Sequence, residues 1–114
     1  MVRNGLGVQL FNLTDTGYTE KYEGEFEKDK KHGHGVYIYA DKSKYEGRFI
    51  NDNYQGFGKF VWPNNNIYIG NWKNGRMDGE GEFIHIDGHI LKGSFRNNYY
   101  YDVGFKLKLE PTLY

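Results

Sequence analysis

The chain has 114 residues, enough for one domain, and its 15 Lys and Arg residues balance its 15 Asp and Glu residues. This zero net charge argues against a nucleic-acid binder that neutralises phosphates and against a polybasic membrane anchor. Cysteine is absent, which excludes a disulfide scaffold, a thiolate metal site and a cysteine nucleophile. Sixteen glycines, eleven Tyr, eight Phe and two Trp favour short strands and turns over helices.

A repeat of 23 residues runs along most of the chain. A segment of the form Tyr-x-Gly-x-aromatic begins at Tyr22, Tyr45 and Tyr68, and a weaker copy begins at Leu91. A second glycine-rich element keeps the same phase within each copy. The spacing predicts repeats over 22–44, 45–67 and 68–90, a degenerate half-repeat with an entry segment over 1–21, and a divergent repeat with an edge cap over 91–114.

Each repeat has the pattern of one β-hairpin. Alternation predicts a first strand over 68–73, and Asn74-Gly75 is a strong signal for a turn with two positive φ angles. We expect Met77-Asp78-Gly79 to lengthen that loop and a second strand to begin near Gly81. Similar hairpins in series predict an all-β fold, a single-layer twisted antiparallel meander of about eight to ten strands.

Alternation also places the glycines on the same face as the aromatic side chains. An aromatic ring can lie flat across the bare backbone of a glycine on a neighbouring strand. We therefore expect structural roles for Gly24, Gly33, Gly35, Gly47, Gly56, Gly58, Gly70, Gly79, Gly81 and Gly93.

These motifs resemble the MORN repeat (membrane occupation and recognition nexus). Tyr22-Glu23-Gly24-Glu25-Phe26 and the run from Asn71 to Gly81 are close to its consensus, whereas the last copy departs from it at Leu91, at Asp102 and in a loop over 97–101 that we expect to be longer. The resemblance implies a ribbon of stacked hairpins. It also implies a scaffold role, since such repeats occur in ciliary radial spokes, in cytoskeletal rings, in junctional membrane proteins and as appendages of enzymes.

The aromatic face is the candidate partner-binding site. One hypothesis is that its rings only hold the sheet together, and the other is that they line a concave groove for a helix or an extended segment of a partner. The two hypotheses are compatible. The residues predicted for this face are Tyr22, Phe26, Tyr37, Tyr45, Phe49, Phe60, Trp62, Tyr68, Trp72 and Phe83.

Catalytic and metal sites are not predicted. The four histidines, His32, His34, His85 and His89, lack a repeated carboxylate spacing, so we expect no metal and no cofactor. Glu23, Glu25 and Glu27 alternate along one strand and fit a solvated face, and no nucleophile with its base is visible. The sequence therefore predicts a protein that is not an enzyme.

The C-terminal segment alternates apolar residues with Lys106 and Lys108 before Pro111. By strict phase the lysines belong to the aromatic face and the leucines to the other, unless the register slips. This pattern fits an edge cap and also fits a docking edge for a partner or a second copy, which would give a homo-oligomer through edge strands.

Together these observations predict a non-catalytic protein–protein interaction scaffold in a cytoskeletal assembly. By analogy with the family we expect a cytoplasmic, cytoskeleton-associated protein in a cilium or flagellum, within an axonemal, radial-spoke-like complex. Its partners would be other proteins of that assembly and not nucleic acid. The alternatives are a peripheral membrane adaptor for acidic phospholipids, which the neutral charge disfavours, and an accessory subunit of an enzyme complex.

Overall fold

All regular structure in the described part of the chain is β-strand. The computed structural model describes residues 4–13, 19–102 and 105–108. The strands are β1 (Gly5–Leu13), β2 (Thr19–Glu27), β3 (Lys30–Ile38), β4 (Lys44–Ile50), β5 (Asn53–Val61), β6 (Ile67–Lys73), β7 (Arg76–Ile84), β8 (Ile90–Arg96), β9 (Tyr99–Asp102) and β10 (Phe105–Lys108).

The ten strands form one sheet in chain order, and each strand pairs antiparallel with the next. This open meander confirms the predicted all-β, single-layer fold. Glycine faces glycine across successive pairs, as in Gly24 with Gly35 and Gly35 with Gly47. The strands β1 and β10 are the two edges of the sheet. Oligomerisation through these edges stays a prediction.

Tight two-residue turns close the hairpins. At the predicted turn, Asn74 has φ 51° and Gly75 has φ 79°, and both angles are also positive at 28–29, 51–52 and 97–98. Turns with two positive φ angles match the twist of antiparallel strands. The predicted loop extension at Met77-Asp78-Gly79 is wrong. Strand β7 already begins at Arg76, and Met77 pairs with Trp72.

A register shift follows the turn in each of the first three hairpins and coincides with a glycine. Gly24 of β2 pairs with Gly35 of β3, and Phe26 pairs with Lys31. Two residue steps on β2 thus correspond to four on β3, so β3 must accommodate two extra residues. Gly33 lies in this stretch with φ 73°. Gly56 and Gly79, at the same position of the next two repeats, have φ 87° and 101°. A residue with a Cβ rarely adopts this conformation, which explains the recurrent glycine.

The core is one continuous cluster on a single face of the sheet. The side chains of this face bury one another, because rings from neighbouring hairpins pack together along the sheet. The cluster consists of Tyr22, Phe26, Tyr45, Phe49, Tyr54, Phe60, Trp62, Tyr68, Trp72, Met77, Phe83, Phe95 and Tyr100.

The last hairpin is shorter than the others. The lengthened loop that we predicted over 97–101 is wrong, because Asn97 and Asn98 form the same two-residue turn as in the earlier hairpins. Tyr99–Asp102 is strand β9, and Tyr100 is buried against Phe95. The strand β9 has four residues where β3, β5 and β7 have nine, and β10 pairs back onto it with Leu107 opposite Tyr100. Residues 14–18 of the predicted entry segment and 109–114 of the predicted cap lie outside the described residues.

Candidate functional site

The aromatic face is built from a tyrosine–glycine unit that recurs in the three repeats over 22–90. The Tyr45 ring lies across Gly58, where an added Cβ would collide with the ring and its hydroxyl. The hydroxyl donates a hydrogen bond to the Arg48 carbonyl at 2.8 Å. The hydroxyls of Tyr22 and Tyr68 donate in the same way to the carbonyls three residues later, at 2.7 and 2.9 Å. The unit satisfies the hydroxyls of Tyr22, Tyr45 and Tyr68 and fixes each ring against the neighbouring strand.

Burial changes the acidity of these tyrosines. Loss of solvent around the hydroxyl, with a smaller effect of Glu25, raises the pKa of Tyr22 to about 12. Burial also raises the pKa of Tyr45 and Tyr68, and the hydrogen bonds to Arg48 and Asn71 oppose part of that rise. The rings are therefore neutral near pH 7 and belong in an apolar cluster.

Edge-to-face contacts link the units across the repeats. Tyr45 stacks on Tyr54 with centroids 3.8 Å apart, and the Trp72 ring meets both edge-on at 5.5 and 5.3 Å. The Trp72 Nε1–H donates to the Gly58 carbonyl at 3.1 Å. Such pairs add about 0.5–1.5 kcal/mol each beyond the area they bury, so the ladder is a main source of stability.

The structure brings the ten predicted partner-binding residues together on one face. Nine of them are buried and pack on one another, and Tyr37 alone is partly buried. The structural role that we predicted for these rings is thus visible in their packing. Direct contact of the nine buried rings with a partner stays a prediction, and it requires the cluster to open.

Partly accessible residues of this face are Leu91 on β8 and a group at its N-terminal margin, which we define as Glu20, Lys31, Tyr37 and Tyr39. The Tyr37 hydroxyl donates to Glu20 Oε1 at 2.8 Å, and the rings of Tyr37 and Tyr39 are 4.4 Å apart. Burial, followed by the hydrogen bond to Glu20, raises the pKa of Tyr37, and burial raises that of Tyr39. Tyr37 and Tyr39 pack against the core without being enclosed by it.

Lys31 is the unexpected member of the margin. It occupies the repeat position held by Tyr54, Met77 and Tyr100, which are all buried. Its Nζ lies 5.4 Å from the centre of the Tyr37 ring and 5.8 Å from that of Tyr22, and it pairs with Asp52 at 3.2 Å. The sequence contains the information for this position, because Lys31, Tyr54, Met77 and Tyr100 follow one another at intervals of 23 residues. The repeat was interpreted only at its aromatic and glycine positions, so Lys31 was missed.

The opposite face carries apolar residues in register across four strands. Val61 pairs with Ile67, Ile67 with Ile84 and Ile84 with Ile90. Phe57 stands on the same face and is 64% exposed. The period-two pattern of the sequence contains this apolar row, although only the aromatic face was predicted as a site.

The histidines and the candidate carboxylates make local contacts. Asp87 lies 3.0 Å from His85 Nδ1 and 2.9 Å from His89 Nδ1 within one exposed turn. Backbone and side-chain hydrogen bonds from His89 lower the pKa of Asp87 to about 2. Among the residues that the structure describes, no three His, Asp or Glu side chains form a group able to hold a metal ion.

The three glutamates of β2 each have a partner of their own. Glu23 pairs with Lys21 at 3.4 Å and Glu27 with His32 at 3.2 Å, while Glu25 accepts the His34 backbone N–H at 2.6 Å. The three carboxylates are thus engaged in separate local contacts.

The match to a family model fits the geometry of the repeats. The model of the MORN repeat matches residues 22–44, 45–67 and 68–90. The chain belongs to the MORN-repeat family. MORN repeats generally mediate protein or membrane interactions and are generally not enzymes. A search among curated proteins finds no match to this MORN-repeat chain. No helix in the described ranges 4–13, 19–102 and 105–108 is long and apolar enough to cross a membrane.

Proposed function

We propose that this MORN-repeat protein is a non-catalytic protein–protein interaction scaffold whose aromatic face clamps a helix or an extended segment of a partner. The observation that carries the proposal is that most rings of that face are buried, whereas two tyrosines stay partly accessible. Nine predicted rings are enclosed and build a rigid sheet, whereas Tyr37 and Tyr39 reach its accessible margin. Tyrosines on a rigid support are frequent anchors at protein interfaces, since they lose little conformational entropy on binding.

The margin also provides polar groups for a peptide. Glu20 already accepts hydrogen bonds from the Tyr37 hydroxyl and from the Ala40 backbone N–H at 3.2 Å. Lys31, which is 17% exposed and paired with Asp52, adds positive charge next to the same rings. A partner segment would therefore bury one or two apolar side chains on the tyrosines and direct a polar group at Glu20.

We further propose that the partner belongs to a cytoskeletal assembly, in a ciliary axoneme and in a radial-spoke-like complex. The support for this setting is the resemblance to MORN proteins of such assemblies. Zero net charge also favours a protein partner over an anionic membrane, because stable adsorption to acidic lipid needs a concentrated basic surface.

The test is affinity purification of the tagged full chain from its native cell, followed by mass spectrometry of the proteins retained at physiological salt. The proposal predicts stoichiometric cytoskeletal proteins with the wild-type chain and with Phe57→Ala on the opposite face. It predicts their loss with the Tyr37→Ala/Tyr39→Ala variant, provided that this variant unfolds at a temperature close to wild type.

Two results would contradict the proposal. Retention of lipid and resident membrane proteins alone would favour a membrane adaptor. Retention of one enzyme, whose activity falls without this chain and returns when it is added back, would favour an accessory subunit.

A further inference from the structure

A cationic recess lies away from the aromatic face, between two hairpin ends. It is open, has a volume of about 630 Å³ and is lined by Lys73, Asn74, Arg76, Asp78, Arg96 and Asn97. Each of its three cationic residues is next in sequence to a buried residue of the aromatic face. Because side chains alternate along a strand, Lys73, Arg76 and Arg96 point to the opposite face.

The base of the recess is held by hydrogen bonds between the two hairpins. The Asn98 N–H donates to the Met77 carbonyl at 3.1 Å, and the Met77 N–H donates to Asn98 Oδ1 at 2.9 Å. The Asn97 N–H donates to Asp78 Oδ2 at 3.4 Å. Lys73 and Arg76 are paired across the Asn74-Gly75 turn. The side chains around the recess therefore project from a fixed frame, which lowers the entropy lost on binding.

The recess has a surplus of positive charge on a chain whose net charge is zero. Three cationic side chains against the one carboxylate of Asp78 leave +2. Within the described part of the chain, the ion pairs involve none of these three cations. Arg96 lies 5.9 Å from the centre of the Tyr101 ring, which orients the guanidinium without neutralising it.

The repeats themselves show that the fold does not need this charge. One repeat earlier, the positions of Lys73, Arg76 and Arg96 hold Ile50, Asn53 and Lys73. The hairpins of that repeat close with the same turn and the same link, since the Gly75 N–H donates to the Tyr54 carbonyl at 3.1 Å. Three cations at one hairpin junction are thus a local feature and not a requirement of the repeat.

We propose that this recess binds the phosphate monoester of a phosphorylated segment in a protein partner. A phosphate monoester carries a charge of about −1.5 to −2 at neutral pH, which complements the surplus of the recess. The guanidinium groups of Arg76 and Arg96 can each donate two parallel hydrogen bonds to its oxygens, and Lys73 and Asn74 add further donors. This proposal rests on the proposed scaffold function only because the phosphate comes from a protein partner. The recess itself lies apart from the Tyr37–Tyr39 margin.

A membrane headgroup is a weaker match for the same chemistry. Segments that recognise anionic lipid surfaces generally combine four to eight basic residues, whereas this junction has three and includes a carboxylate. We therefore assign the recess to a protein-borne phosphate and treat lipid binding as a contrary outcome.

The test uses the full ¹⁵N-labelled chain and a short peptide with one phosphoserine between neutral residues, titrated by NMR at two salt concentrations. The proposal predicts shifts concentrated at the backbone amides of 73–78 and 96–98 and weaker binding at higher salt. Because charge-assisted hydrogen bonds are lost, Lys73→Gln/Arg76→Gln should lower the affinity about tenfold or more. Lys59→Gln, which removes a charge elsewhere on the same face, should leave it unchanged.

Each control decides the proposal. No shifts in the wild-type chain, shifts away from the recess, or equal binding of the unphosphorylated peptide would overturn it. Tighter binding to phosphatidylinositol bisphosphate vesicles than to the phosphopeptide would also overturn it in favour of a lipid. If the double variant does not fold, Arg96→Gln gives the same test. Unchanged phosphopeptide binding in Tyr37→Ala/Tyr39→Ala would separate the recess from the partner site on the aromatic face.

Discussion

The ring of Tyr45 lies directly over Gly58 on the next strand, so that the glycine has no room for a side chain. The same contact joins Tyr22 to Gly35 and Tyr68 to Gly81. Facing glycines, such as Gly47 and Gly58, let the two backbones and the ring approach closely. This contact explains why tyrosine and glycine recur at the same positions in the three repeats over 22–90.

Replacing Gly58 should therefore destabilise the sheet. We expect Gly58→Ala to lower the free energy of unfolding by about 1–3 kcal/mol, because its Cβ forces the Tyr45 ring or the backbone to move. Urea unfolding of the full chain measures this change. Gly75→Asn is the matched control. It leaves an asparagine pair like Asn97–Asn98 in a turn where nothing lies within 4 Å of the added Cβ, so it should be nearly neutral. Equal stabilities of the two variants would argue against the steric account.

Trp72 should be a dominant core residue. It is 2% exposed and contacts Tyr45, Tyr54 and Tyr68, so Trp72→Ala should cost about 3–5 kcal/mol or prevent folding. Phe57→Ala removes a ring that is 64% exposed and should change stability by less than about 0.5 kcal/mol. Circular dichroism during urea unfolding distinguishes the two. A tolerated Trp72→Ala would show that the ladder contributes little to stability.

Replacing Lys31 with Met should leave the stability of the fold unchanged or increase it. The Lys31 side chain is 17% exposed. The same position of the next two repeats holds Tyr54 and Met77, which are both buried. Lys31→Met removes one partner of an ion pair whose carboxylate is half exposed, so no buried charge is left unpaired, and such a pair contributes only about 0–1 kcal/mol. Asp52 also keeps its hydrogen bond from the backbone N–H of residue 31. Burial of the apolar Met side chain offsets the loss, so we expect Lys31→Met to be neutral or stabilising by about 1 kcal/mol. A loss of more than about 1 kcal/mol would instead show that the cation–π contacts are a net contribution.

The buried tyrosines should make the protein sensitive to alkali. A pKa raised in the folded state favours the neutral form there, so the associated stability is present below pH 10 and is lost as the pH rises toward the folded pKa. For Tyr22 this window runs from pH 10 to about 12, and Tyr45 and Tyr68 shift in the same direction. We expect cooperative unfolding in this range, with tyrosinate absorbance rising together with the loss of strand signal. Ionisation of all tyrosines near pH 10 with the sheet intact would contradict the burial of these hydroxyls.

Most of the fold follows from period and phase. The spacing between Tyr22, Tyr45 and Tyr68 identifies the repeat, and alternation within it places tyrosine and glycine on one face. Met77 was misassigned because Asp78 and Gly79 resemble a loop, whereas the strand there accommodates extra residues through the positive φ of Gly79. Tyr100 was misassigned for a similar reason, since the asparagines before it form a tight turn.

The extent of burial was not predictable from the same pattern. Alternation shows which rings share a face, but the burial of Trp62 and Phe83 depends on packing between side chains of different hairpins. The junction of Lys73, Arg76 and Arg96 was also missed. It joins side chains from different strands, and its net charge is hidden in a balanced composition.

The central claim, that the accessible margin of the aromatic face holds a protein partner, is tested most directly by photo-crosslinking in the native cell. A photoreactive amino acid replaces Tyr39 in one full-length variant and Phe57, on the opposite face, in another. The account predicts that position 39 crosslinks to a defined cytoskeletal protein and that position 57 does not crosslink to it. Crosslinks to that protein from position 57 alone, or only to lipid from position 39, would contradict it.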